Sequence, residues 1–65
     1  MKIILSDLMY KRTLSIRQVS RMTGLSKSTV QKIMTGEESP TMETMEKLAA
    51  GLKVSIESLY ESDFK

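Results

Sequence analysis

The chain has no cysteine and no histidine. Without cysteine no disulfide can brace the fold and no thiolate can hold a metal. Without histidine, the commonest general base and the commonest metal ligand are both missing. Proline occurs once, at Pro40. The longest apolar runs are three or four residues, against the roughly 20 that a membrane-spanning helix needs. Met1-Lys2 followed by Ile3-Ile4-Leu5 is too short an apolar stretch for a secretory leader. These absences lead us to expect a cytoplasmic protein without catalytic, metal or cofactor site, without a small-molecule ligand and without membrane association. The expected unit is one domain, residues 1–65, with 61–65 as a short tail. A chain this long buries only roughly 60% of its unfolded surface. Packed helices must therefore supply the stability, with a partner subunit as a second source.

The small net charge of +2 conceals a strong segregation. Residues 1–36 carry seven lysines and arginines against Asp7 alone, a charge of +6. Residues 37–65 carry Lys47, Lys53 and Lys65 against seven carboxylates, a charge of −4. A basic half of this kind is what neutralising nucleic-acid phosphates requires.

Within the basic half, two helix starts lie eleven residues apart: Leu14-Ser15-Ile16-Arg17-Gln18-Val19 and Leu25-Ser26-Lys27-Ser28-Thr29-Val30. Ser15 and Ser26 can each accept from the free amides of a first turn. Gln18 completes a capping box with Ser15, and the pairs Leu14/Val19 and Leu25/Val30 have hydrophobic-staple spacing. Gly24, between the two starts, suits the left-handed residue that ends a helix. The pattern predicts a short helix, a tight turn and a second short helix, an arrangement that can set one helix into the major groove of DNA.

The rest reads as helix as well. The first helix is predicted from about Lys2 to Arg12, with Leu5, Leu8 and Met9 as its apolar stripe. The second covers Leu14 to Thr23, with Val19 and Met22 inward, and the third covers Ser26 to Thr35, ended by Gly36. Glu37-Glu38-Ser39-Pro40 is the only obvious loop, because proline pushes the residue before it out of the α region. A fourth helix starts at the cap Thr41, with Met42, Met45, Leu48, Ala49 and Leu52 on its apolar face. A fifth, short helix starts at Ser55, where Val54 and Leu59 repeat the staple spacing. No strand pattern competes with an all-α fold. The six methionines, at helical spacing, read as core filler.

Winding the third helix at about 100° per residue gathers Val30, Ile33 and Met34 on one side, with Thr29 at its margin. Ser28, Gln31, Lys32 and Thr35 fall opposite, with Lys27 at the amino end. This polar face has no acidic residue. Lysine can donate to guanine O6 and N7, glutamine can pair with adenine, and serine can serve either base. Base contacts are therefore assigned to Lys27 and Ser28 first, then to Lys32 and Gln31. Ser26 and Thr35 are better placed for phosphate oxygens, joined by Arg17 near the start of the second helix. Each of these residues alone has an ordinary reading as cap or solvated surface; the assignment rests on the set.

The ordered series Leu14-Ser15, Gly24-Leu25-Ser26-Lys27-Ser28-Thr29-Val30, Ile33, Gly36, Ser39-Pro40-Thr41, Leu48-Ala49, Leu52-Lys53-Val54-Ser55 and Leu59-Tyr60 resembles the lambda-repressor-like (Cro/repressor, XRE) helix-turn-helix family. The resemblance implies a compact five-helix DNA-binding domain, dimeric on a pseudo-palindromic operator and acting as a transcriptional regulator, with repressor as the expected sign. It implies base contacts from Lys27, Ser28, Thr29 and Lys32. Four departures carry consequences of their own. Ile16 stands where many members have a phosphate-reaching glutamine, so that contact should be missing. Thr13 and Lys53 replace glycines common at helix ends. Met9 and Met34 occupy positions where some relatives pair an arginine with a glutamate. Glu37-Glu38 lies in a loop that often approaches the DNA backbone.

Two rival classes remain. One is an antitoxin-like protein-interaction module built on the same helices, with the acidic half and Tyr60/Phe64 as its contact surface. The other is an enzyme, disfavoured because Ser26 and Ser28 have no histidine to activate them and the carboxylates lack metal-ligand spacing.

Overall fold

The computed structural model describes residues 2–65. Met1, the first residue of the expected 1–65 domain, lies outside the described residues. Four α-helices follow in order: α1 (Leu5–Arg12), α2 (Ile16–Thr23), α3 (Lys27–Thr35) and α4 (Met42–Leu52). A 3-10 turn spans Ile56–Leu59. Two short strands, β1 (Lys2–Ile3) and β2 (Tyr60–Glu61), pair antiparallel with Lys2 opposite Glu61 and Ile3 opposite Tyr60.

This corrects the five-helix, strand-free expectation in three places. The expected fifth helix is a single 3-10 turn closed by the Ser58 amide donating to the Ser55 carbonyl at 3.1 Å. It cannot extend, because Tyr60 is already extended at φ −148° and enters β2. The first helix starts at Leu5 rather than Lys2. Ile4 offers no side-chain cap, and its amide instead donates to the Leu59 carbonyl at 2.9 Å. The backbone groups of Lys2 and Ile3 then find partners across β2 instead of along a helix. The tail is also anchored further than expected: Glu61 is paired, and Lys65 donates from Nζ to the Tyr60 carbonyl at 2.8 Å.

The core is Leu5 and Met9 from α1, Val19 from α2, Val30 and Ile33 from α3, Met45, Leu48 and Leu52 from α4, and Leu59. All three staples contribute: Val19, Val30 and Leu59 are fully buried, with Leu14, Leu25 and Val54 packed against them. Met34 is half-buried against the same core that holds Met9, an apolar arrangement that avoids the desolvation cost of a buried ion pair. Two methionines assigned inward face solvent instead, Met22 at 43% and Met42 at 66% exposure.

α4 is the platform for α2. Gly51 sits where a Cβ would press into the Met22 carbonyl group and come within 2.8 Å of the Thr23 Cα, so α2 ends directly on the α4 backbone. Arg12, counted above among the basic residues, donates from Nη1 to the Leu52 carbonyl at 2.6 Å and closes the carboxyl end of α4.

Thr13 and Lys53 end α1 and α4 in the left-handed region, at φ 56° and 57°. Neither has glycine's freedom there, and the left-handed conformation costs a side chain about 1–2 kcal/mol. Part of that cost offsets the extra freedom that glycine has in the unfolded chain. Thr13→Gly should therefore raise stability by roughly 0.5–1 kcal/mol in thermal unfolding, and Lys53→Gly by a similar amount. A loss of stability in both would contradict the left-handed assignment.

Candidate nucleic-acid interface

The start of α2 is fixed by a reciprocal cap. Ser15 Oγ accepts from the Gln18 amide at 3.1 Å, while Gln18 Oε1 accepts from the Ser15 amide at 2.8 Å. At the other end, Gly24 takes φ 79° and its amide donates to the Ser20 carbonyl at 2.9 Å. The turn into α3 is then clamped by two hydroxyls of α2. Ser20 Oγ donates to the Leu25 carbonyl at 2.5 Å. Thr23 Oγ1 donates to the Val19 carbonyl at 2.7 Å and accepts from the Leu25 amide at 3.3 Å. Both backbone polar groups of Leu25 are thus held by side chains, and its apolar side chain packs on the core. Sequence reasoning assigned no hydrogen bond to Ser20 or Thr23. The available signal was a pair of hydroxyl residues in a last helical turn, where they bond back to the backbone.

Ser26 caps α3, its Oγ accepting from the Thr29 amide at 3.1 Å and lying 2.9 Å from Thr29 Oγ1. That geometry half-buries Thr29 and directs its hydroxyl to the cap. Val30 and Ile33 point into the core. Lys27, Ser28, Gln31, Lys32 and Thr35 are all exposed. The outward face of α3 is therefore polar along its length, and no acidic residue interrupts it. Arg17 is exposed in the first turn of α2. There the unpaired amides and the helix dipole favour an anion, with no acidic side chain competing.

The carboxyl end of α3 is electrostatically different. Thr35 Oγ1 lies 3.2 Å from both the Lys32 carbonyl and Glu37 Oε1. Gly36 ends the helix at φ 83°. Of the three residues proposed for phosphate, Thr35 alone has a carboxylate beside its hydroxyl, which disfavours a phosphate at that point. Ile16 occupies the first position of α2, so no side-chain donor extends from there. Among the described residues no group of three His, Cys, Asp or Glu side chains could hold a metal ion.

α3 brings together Lys27, Ser28, Gln31 and Lys32 on one open face, with Ser26 and Thr29 joined at its amino end. Arg17 stands on the preceding helix. A helix held this way, by caps at both ends and a clamped turn, can present donors and acceptors to base edges without first ordering them.

No curated protein sequence and no solved structure matches the chain. A family model described as helix-turn-helix matches residues 7–59, from within α1 through the 3-10 turn. With the capped pair α2–α3 inside that span, the chain belongs to the lambda-repressor-like (XRE) helix-turn-helix family of DNA-binding transcription regulators.

Proposed function

We propose that this protein binds double-stranded DNA sequence-specifically as a transcriptional repressor, with α3 lying in the major groove. The observation that carries this reading is the exposed, acid-free polar face of α3. Lys27 and Ser28 lead the base contacts, because they stand at the amino end that enters the groove. Gln31 and Lys32 follow, and Thr29 contributes at the margin while supporting the cap. Ser26 and Arg17 serve phosphates, and Thr35 is set aside because its hydroxyl already donates to Glu37 Oε1. Repression needs only occupancy of an operator, which an open recognition helix supplies. Two copies on a pseudo-palindromic operator would set their recognition helices about 34 Å apart. The role assigns no catalysis and no cofactor, and it belongs in the cytoplasm. No described helix is long and apolar enough to cross a membrane.

Selecting bound duplexes from a random pool tests this directly. A two-fold symmetric consensus is the expected result, and a pool without enrichment would refute sequence-specific binding. On the selected duplex, Lys27→Ala or Ser28→Ala should cost about 10-fold in affinity and relax preference at one base position. Arg17→Ala should weaken selected and random duplexes alike. Equal losses on every sequence for all three variants would overturn the division between base and phosphate contacts.

A further inference from the structure

α3 ends against a carboxylate that its own electrostatics disfavour. The carbonyls of a last helical turn carry partial negative charge, and a cation there is the stabilising choice. This chain instead places Glu37 two residues beyond Thr35, the last residue of α3. The glutamate is held in place rather than trailing in solvent. The Gly36 amide donates to the Ile33 carbonyl at 3.3 Å and the Glu38 amide to the Lys32 carbonyl at 3.2 Å. The chain on both sides of Glu37 is therefore folded back onto the helix. Thr35 Oγ1 lies 3.2 Å from Glu37 Oε1, which sets the carboxylate at the carboxyl end of the outward polar face. A residue that breaks a local stability rule, and is then fixed by bonds, points to a functional role.

Two cations stand near this end. Lys2 lines a cleft with Thr35, Gly36, Glu38 and Ser39, and Glu37 is not part of that lining. Lys2 thus offsets Glu38 rather than Glu37. Lys32 is exposed about one turn earlier on the outward face. Along that face the charge runs positive at Lys27, positive at Lys32 and negative at Glu37.

α3 has nine residues, a length of about 13 Å, close to the roughly 12 Å width of the major groove. A helix of that length brings either end within reach of the flanking phosphates. On a matching sequence, base contacts from Lys27 and Ser28 hold the amino end deep and the carboxyl end outward. On arbitrary sequence the phosphates alone hold the protein, and it samples other orientations. Some of these set the carboxyl end of α3 on a phosphate, where two like charges meet. Repulsion in the wrong arrangement is one of the two ways a binder gains selectivity.

We propose that Glu37 is a specificity-determining residue of the DNA interface. Its charge penalises complexes in which the carboxyl end of α3 meets a phosphate, so it weakens binding to arbitrary sequence more than to the selected one. Thr35 acts with it by holding the carboxylate on the outward face. The inference rests on the DNA reading above.

The test compares wild type, Glu37→Gln and Glu57→Gln on the selected duplex and on a random-sequence duplex, at about 100 mM salt. Glutamine keeps an acceptor for the Thr35 hydroxyl and removes only the charge. Glu57→Gln removes the same charge from the 3-10 turn and controls for net charge. Glu37→Gln should tighten binding to the random duplex about 5-fold and to the selected one less than about 2-fold, so discrimination falls roughly 3-fold. Glu57→Gln should leave the ratio unchanged. The midpoint of thermal unfolding should not fall in Glu37→Gln, because the helix dipole disfavours the charge removed.

An unchanged ratio, an equal gain on both duplexes, the same loss of discrimination in Glu57→Gln, or weaker binding by Glu37→Gln would each overturn the inference while leaving the DNA reading intact. A lower unfolding midpoint in Glu37→Gln would assign the carboxylate to the stability of the loop and overturn it as well. Failure of the wild type to enrich any duplex would instead remove the DNA reading, and this inference with it.

Discussion

Raising salt from about 50 to about 200 mM should cut DNA affinity by roughly 10³-fold if two copies bind together, each neutralising about three phosphates through Arg17 and other cations of the basic half. The reasoning is counterion release. Each neutralised phosphate adds about 0.9 to the slope of log affinity against log salt, so six give a slope near −5. A lone copy with about three such contacts would lose only roughly 40-fold over the same interval. The titration therefore reads binding mode and stoichiometry together. A flat profile would remove the phosphate-driven mode, and with it the significance of a basic half that carries +6. Arg12 does not enter the count. Its guanidinium is held on the Leu52 carbonyl, so Arg12→Ala should leave the slope unchanged while loosening the end of α4.

Gly51→Ala should destabilise the fold by roughly 2–3 kcal/mol, although alanine is the better helix former by about 1 kcal/mol. The added methyl would press into the Met22 carbonyl group and the Thr23 Cα. These are backbone atoms, so no rotamer change can relieve the contact, and α2 must move off α4. For a chain of this length, total stability is about 3–10 kcal/mol, and the midpoint of thermal unfolding should fall by roughly 10–20 °C. Ala50→Gly, at the exposed neighbour, isolates propensity from contact and should cost only about 1 kcal/mol. If Gly51→Ala instead stabilises the protein, α2 does not end on α4 as described. Because α2 carries the clamped turn, the same substitution should also weaken DNA binding by misdirecting α3.

The candidate site was legible because the interactions that build it are local. Ser15 with Gln18, Ser26 with Thr29, and the glycines at 24 and 36 act over one helical turn, and their residue types announce their geometry. The outward face of α3 followed from winding nine residues, since its inward face is set by Val30, Ile33 and Met34. Less visible were the hydroxyls of Ser20 and Thr23. A hydroxyl in a last turn can bond back to its own helix, reach the turn or face water, and composition does not choose among them. Met22 and Met42 were misplaced for a related reason: helical spacing defines a stripe, but not how much of that stripe a neighbour covers.

By itself the sequence determined three capped helices, α2, α3 and α4, the turn that joins α2 to α3, and a basic half separated from an acidic one. These rest on neighbours within a few residues, where bonding partners and backbone preferences are fixed before any packing occurs. The tertiary structure alone decided that Lys2–Ile3 pairs with Tyr60–Glu61, that Arg12 closes α4, that Gly51 carries the end of α2, and that Met42 and Phe64 remain uncovered. Those contacts join residues far apart along the chain. They exist only once the helices have chosen their crossing geometry, which no short window of residues encodes.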